Sequence, residues 1–227
     1  MKRGAQGQRG IIAAGTPGMA RRAFARGLGV GASGLVLAGF SAPWTLAPPD
    51  LVPPPGFGFG SLRFTMTDAE TAKTVTAADF RGKVVMLFFG YTNCPDECPL
   101  TLNNAARIIE RLGPKAASLR FLFVTVDPAR DTLAVLRGYT HNFGTPNIIG
   151  LRGSEAELAA LAKRMGARYS VHPSPDPLKY AVTHTLLTYV FNREGVPAFS
   201  IAGLAEPKVD LQGIARDLEH LLAADRV

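Results

Sequence analysis

The stretch Lys83-Val-Val-Met-Leu-Phe-Phe-Gly90 constrains the fold more than any other part of this sequence. A continuous run of β-branched, aliphatic and aromatic residues has no face to give to water. It therefore reads as a strand covered on both sides within a parallel or mixed sheet. The run leads almost at once to Cys94 and Cys98. Beyond Pro99, apolar residues at 100, 102, 105, 106, 108, 109 and 112 recur at helical spacing until Gly113-Pro114 stops them. The two cysteines thus sit at the N-terminus of a helix that follows a central strand.

The rest of the chain extends this unit. Leu62 to Met66 alternates and reads as an edge strand, whereas Leu119 to Val126 reads as a second buried one. Thr132 to Phe143 has a helical pattern, Ile148 to Leu151 is a short strand, and Ser154-x-x-Glu157 is a capping box opening a helix to about Met165. Prolines mark Val171 to Tyr180 as an irregular loop. His184 to Phe191 is β-prone and turns at Asn192-Arg-Glu-Gly195 into a hairpin with Val196 to Ile201, and Leu211 to Leu222 closes as an amphipathic helix. A β-α-β unit followed by a β-β-α unit is the order of an α/β, thioredoxin-like fold, with a central mixed sheet flanked by helices. A chain of 227 residues, 47% hydrophobic, supports one such domain and a leader.

The expected leader covers residues 1–47. Arg21-Arg22-Ala-Phe24 precedes the modestly apolar Gly27 to Phe40 and resembles a twin-arginine export signal. That apolar run is shorter than the roughly 20 residues needed to cross a bilayer, although Ser41 to Ala47 brings it close, so a cleaved signal and a retained anchor both fit. With no cysteine near its end, a lipoprotein anchor is not expected. A Pro/Gly-rich linker over 48–60 and a folded domain over 61–227 complete the division. The net charge of +7 comes from scattered Lys and Arg. There is no basic helix, zinc-finger spacing or aromatic-basic interleave, so nucleic acid is not an expected partner.

Two cysteines this close cannot frame a disulfide-rich fold. At a helix start, unpaired amides and the helix dipole favour thiolate, the form that binds metal or attacks disulfides. A disulfide or a shared soft ion is available to a pair at this spacing. Two thiolates without further cysteines do not complete a cysteine-rich zinc site but suit Cu(I), and a histidine would extend the site to Cu(II). His184 is the leading third ligand. His172, in the proline loop, competes with it, whereas His141 and His220 fall on helices. Asp127-Pro-Ala-Arg130-Asp131-Thr132 reads as a turn with Asp131 as helix N-cap, or as an acid-base patch near the cysteine loop. Phe88, Phe89 and Tyr91 read as packing.

Together Phe88-Phe-Gly-Tyr-Thr-Asn-Cys94-Pro-Asp-Glu-Cys98-Pro99, Val124-Thr-Val-Asp-Pro-Ala-Arg-Asp-Thr132, His184 before its β-run and Asn192-Arg-Glu-Gly195 resemble the Sco/SenC family of copper chaperones. The resemblance covers about residues 60–225. It implies a thioredoxin-like fold, copper held by Cys94, Cys98 and His184, and delivery to the dinuclear copper centre of cytochrome c oxidase subunit II or another copper-accepting protein. The leader adds the expectation of an exported protein, periplasmic or anchored facing the periplasm. One position departs from the family: Thr183 stands where an Asp commonly precedes the histidine, which touches the orientation of His184 rather than its ligation. The competing reading is a thiol-disulfide oxidoreductase, with Cys94 attacking and Cys98 resolving, that reduces a client's cysteines.

Overall fold

Every residue of the apolar run at 84–90 is buried. In this computed structural model, which describes residues 51–52, 59–176 and 179–224, the run is a central strand of an eight-stranded mixed sheet. In chain order the strands are β1 (Leu51–Val52), β2 (Thr65–Asp68), β3 (Thr74–Thr76), β4 (Val84–Gly90), β5 (Leu119–Thr125), β6 (Ile148–Arg152), β7 (Tyr169–His172), β8 (Ala181–His184), β9 (Thr188–Phe191) and β10 (Pro197–Ile201). The helices are α1 (Glu97–Leu112), α2 (Leu133–His141), α3 (Glu155–Met165) and α4 (Leu211–Ala224).

The sheet runs β1-β10-β9-β4-β5-β6-β2-β3. β4, β5 and β6 are parallel, and β9 pairs antiparallel with β4 on its other edge. With β10 beyond β9, this is the expected mixed sheet: parallel strands joined through α1 and α2, then a β-hairpin and the closing α4. Helices α1 and α4 pack on each other, and the Asn104 amide of α1 donates to the Leu204 carbonyl at 3.0 Å just ahead of α4. Burial of large side chains such as Phe88, Phe121, Phe123 and Phe191, each worth about 1.5–3 kcal/mol, ties the sheet to these helices.

Several boundaries differ from the sequence reading for physical reasons. The alternating segment at 62–66 becomes a strand only from Thr65. Leu62 lies buried before it, with its amide on the Gly195 carbonyl at 2.8 Å, and β3 rather than β2 forms the sheet edge. The β-run from His184 is not one strand. β8 ends at His184 and pairs with β7 in a separate two-stranded sheet, and β9 starts at Thr188. Part of the expected loop from Val171 is therefore a strand, which periodicity missed because β7 has no buried face. On the N-terminal side, Leu51–Val52 pairs with β10 and Phe59 is buried against Tyr189 and Phe191. The leader and most of the linker lie outside the described residues. Among those described, no helix is long and apolar enough to cross a membrane.

Glycines record how closely the layers approach. A Cβ at Gly150 of β6 would lie 2.6 Å from Leu136 Cγ of α2, whereas one at Gly138 of α2 would meet nothing within 4 Å. Gly150→Ala is expected to destabilise the protein by about 1–3 kcal/mol through overpacking. Gly138→Ala is expected to stabilise it by about 0.5–1 kcal/mol by relieving helical backbone entropy. Urea midpoints of the two variants should move in opposite directions, and a shift in the same direction would contradict this packing.

Candidate metal centre

The cysteine loop is shaped by what surrounds the end of β4. A Cβ at Gly90 would stand 2.5 Å from Phe123 Cε2 and 2.9 Å from Cys98 Sγ, so the bare glycine leaves the space in which the Cys98 sulfur sits. Past Gly90 the chain turns, with the Cys94 amide donating to the Tyr91 carbonyl at 3.3 Å. Asp96 is the N-cap of α1, but its side chain caps nothing. Instead the Cys98 amide in the helix's first turn donates to Cys94 Sγ at 3.5 Å. A sulfur takes the place of the usual capping oxygen, so the unpaired amides of the helix start point at it.

Asp131 locks this loop to the sheet. Fully buried, its carboxylate accepts from the Thr92 amide (3.1 Å), the Thr92 hydroxyl (2.6 Å) and the Thr125 hydroxyl at the end of β5 (2.5 Å). The expected N-cap role falls to Thr132, whose hydroxyl accepts from the Val135 amide. The Asp side chain turns inward because a buried hydroxyl and a loop amide need an acceptor there. Burial raises its carboxyl above the ordinary range, and the Thr125 and Thr92 bonds oppose that rise.

His184 ends β8 of the β7–β8 hairpin. The next residue is pinned, its amide donating to the Arg168 carbonyl at 2.9 Å and its hydroxyl accepting from the Arg168 amide at 2.9 Å. His184 Nδ1 lies 3.2 Å from the Thr185 carbonyl, which can only accept. In the neutral ring this leaves Nε2 as the lone-pair atom, and Nε2 is 3.4 Å from Cys98 Sγ. Phe88 and Tyr91 pack on the imidazole edge-on, at centroid distances of 5.6 and 5.7 Å. Thr183 turns away, to a hydrogen bond with His172 Nε2 at 3.0 Å. A backbone carbonyl and two rings, not the preceding side chain, orient His184.

One donor atom from each of Cys94, Cys98 and His184 lies within 4.8 Å of the others. Metal–sulfur bonds of about 2.3 Å and metal–nitrogen bonds of about 2.0 Å place donors around one ion roughly 3.5–4 Å apart, so the cluster fits a three-coordinate ion with small adjustments. Two sulfurs and an imidazole are a soft donor set. Both cysteines are free thiols, Cys98 with no exposed surface and Cys94 with 7%. A hydrogen bond from the Cys98 side chain draws the Cys94 thiol well below the usual range against the opposing effect of burial, and contacts with His184 and the Cys98 amide assist. Cys98 is pushed up, first by burial and then by the neighbouring Cys94 sulfur. The two shifts run in opposite directions, so the thiolate is favoured at Cys94 over Cys98.

The other candidates fall elsewhere. His172 is engaged with Thr183, exposed His141 pairs with Glu70 at 2.6 Å, and His220 is exposed on α4. Two residues that matter to the centre were not singled out for it from sequence: Tyr91, read as packing, is a wall for the imidazole, and Glu97 has a carboxylate oxygen 3.4 Å from Cys94 Sγ at the exposed rim. Glu97 carried a readable signal, its place between the cysteines. Asp131, read as an N-cap or as part of an acid-base patch near the cysteine loop, is the loop lock.

A protein-family model described as SCO1/SenC matches residues 59–222. The mitochondrial "Protein SCO2 homolog" of Bos taurus is 36% identical over 121 residues, which cover 52% of this chain and 45% of that protein. An SCO2-like protein of Rickettsia prowazekii is 35% identical over 116 residues, covering 51% and 56%. This chain thus spans about half the length of the curated relatives it matches. Among solved structures, Bradyrhizobium japonicum ScoI with copper bound matches with a TM-score of 0.65 at 32% identity, covering 72% of this chain and 99% of that one. Yeast Sco1 with copper bound matches at 0.63 and 28%, covering 71% and 87%.

The asymmetry of the cysteines is open to a direct check. In metal-free, reduced protein at pH 6, where an ordinary thiol of pKa about 8.5 is almost wholly protonated, iodoacetamide is expected to label Cys94 and spare Cys98. The Cys94 rate should stay nearly flat from pH 8 down to pH 6, because a depressed pKa keeps the thiolate populated throughout that window. Mass spectrometry finding equal labelling, or a tenfold loss of rate per pH unit, would contradict the assignment.

Proposed function

The chain belongs to the SCO1/SenC family, and from that premise we propose that it is a copper metallochaperone that takes copper between Cys94, Cys98 and His184 and delivers it to an acceptor protein. The observation that carries the reading is the convergence of two sulfurs and one imidazole nitrogen within 4.8 Å. Paired thiolates suit Cu(I), and the imidazole extends the set to Cu(II). The copper-bound relatives from Bradyrhizobium japonicum and yeast support the choice of metal.

The client of this reading is the dinuclear copper centre of cytochrome c oxidase subunit II, and the place of action is the periplasm or a periplasm-facing membrane surface reached through the twin-arginine-like leader. Transfer proceeds by ligand exchange from the exposed side of the centre. His184 is partly exposed and borders a groove with Lys163, Arg168 and Thr185, whereas Cys98 has no exposed surface. An acceptor thus meets His184 and Cys94 first.

The purified, reduced protein is expected to bind one copper per chain, with binding lost in Cys94→Ala and in Cys98→Ala. His184→Ala should weaken Cu(II) binding at least tenfold and shift the Cu(II)–thiolate absorption band while leaving Cu(I) stoichiometry largely intact. Metal analysis and absorption spectra of the four proteins decide the matter. No stable copper in the parent, together with insulin-type disulfide reduction that survives His184→Ala, would overturn the chaperone in favour of the thiol-disulfide oxidoreductase.

A further inference from the structure

The turn between β5 and α2 touches both halves of the candidate centre. Through Asp131 it holds Thr92 in the cysteine loop. Its remaining charged side chains point the other way. Arg130 Nε donates to Asp127 Oδ2 at 2.5 Å, Arg130 Nη1 donates to the Tyr180 carbonyl at 3.0 Å, and the Tyr180 hydroxyl donates to Asp127 Oδ1. The guanidinium carbon lies over the Tyr180 ring, 3.6 Å from its centroid. Asp127 is 2% exposed and the Arg130 side chain 12%, so this is an interior arrangement rather than a surface ion pair.

Both neighbours of the guanidinium lead to His184. Tyr180 immediately precedes β8, which ends on that histidine. On its other side the guanidinium stands 5.9 Å from the centroid of Tyr91, the ring packed edge-on against the imidazole. Among the described residues, β8 pairs only with β7, in a two-stranded sheet separate from the main one. A lone two-stranded ribbon is marginal in water, so the hairpin needs a tie to the domain if His184 is to keep its place.

We propose that Arg130 is a positioning residue for His184: by clamping Tyr180 and backing Tyr91 it holds the histidine-bearing hairpin against the cysteine loop, keeping the three donor atoms together before any ion binds. The chemistry requires arginine. Its planar fork serves Asp127 and the Tyr180 carbonyl at once while its face covers the ring, and a lysine ammonium offers neither plane nor fork. Pre-organisation of this kind spares the ion the cost of ordering a mobile third ligand. The consequence for copper rests on the chaperone reading, but the positioning itself does not.

The test uses the full chain with Arg130→Gln, Arg130→Lys, His184→Ala and the Arg130→Gln/His184→Ala double variant. In the metal-free state, the His184 ring protons of the parent should be displaced from ordinary histidine positions by the Phe88 and Tyr91 ring currents. Both Arg130 variants should move them toward the positions of exposed His141 and His220 while the amide signals of β4 and β5 stay in place. With copper, Arg130→Gln should weaken Cu(II) binding tenfold or more and reproduce the His184→Ala absorption band. The double variant should bind no more weakly than His184→Ala alone, because both changes remove the same ligand. Unmoved His184 signals, or losses that add in the double variant, would overturn the proposal. If Arg130→Gln does not fold, Tyr180→Ala removes the clamp from its outer side and is held to the same outcomes. A parent that binds no copper would overturn the chaperone reading, and the ring signals would still decide the positioning role.

Discussion

The placement of β4 is the constraint on which everything else depends. Both its edges are paired, with β5 parallel and β9 antiparallel, and none of its residues reaches solvent. The chain leaving β4 at Gly90 therefore emerges at a defined point. Because β9 runs the other way, with Phe88 opposite Thr188, the chain entering β9 must arrive at that same end of the sheet. This is why Cys98 and His184, 86 residues apart, meet. No long-range attraction between the ligands is needed, since strand order and direction deliver them. Location of a site at the carboxyl ends of parallel strands is the general habit of such sheets, and here an antiparallel neighbour adds its entry segment to it.

Much of this is legible in the amino-acid sequence alone. A short unbroken run of β-branched and aromatic residues reads as an interior strand, a 3.6-residue period after the cysteines reads as a helix facing a core, and two cysteines at that junction announce thiolate chemistry. Less legible are features set by pairing rather than by pattern. The β7 strand exposes or half-exposes every residue, so it has no apolar rhythm, and only its ladder to β8 defines it. Likewise the start of β2 shifts because Leu62 is buried by the loop that contains it, and sequence alternation cannot distinguish burial in a loop from burial in a strand.

The reading of Asp131 shows the same limit at the level of one side chain. An Asp ahead of a helix is a sound N-cap by local rules. The adjacent Thr132 serves that purpose equally well locally, so the choice between them falls to the surroundings. Thr125 presents a buried hydroxyl and Thr92 an amide and a hydroxyl, and an interior cluster of donors without a charge needs a carboxylate more than an exposed helix start does. The aspartate goes inside and the threonine takes the cap. A local motif therefore narrows the role to two neighbours, and tertiary demand assigns it.

The burial of the two sulfurs also shapes the direction in which an ion could be exchanged. Cys98 lies in the space left by Gly90, without exposed surface, whereas Cys94 keeps a small opening and His184 a larger one. For a ligand from another molecule to replace Cys98 first, it would have to enter the core. Replacing His184 first requires only that the imidazole swing away from Tyr91 and Phe88, whose edge-on contacts are worth about 0.5–1.5 kcal/mol each. Under the chaperone reading, Cys98 is the last ligand to let go, and it then takes back a proton, which burial favours. Under that same reading, burial that disfavours a free thiolate at Cys98 favours its reprotonation once the ion has left.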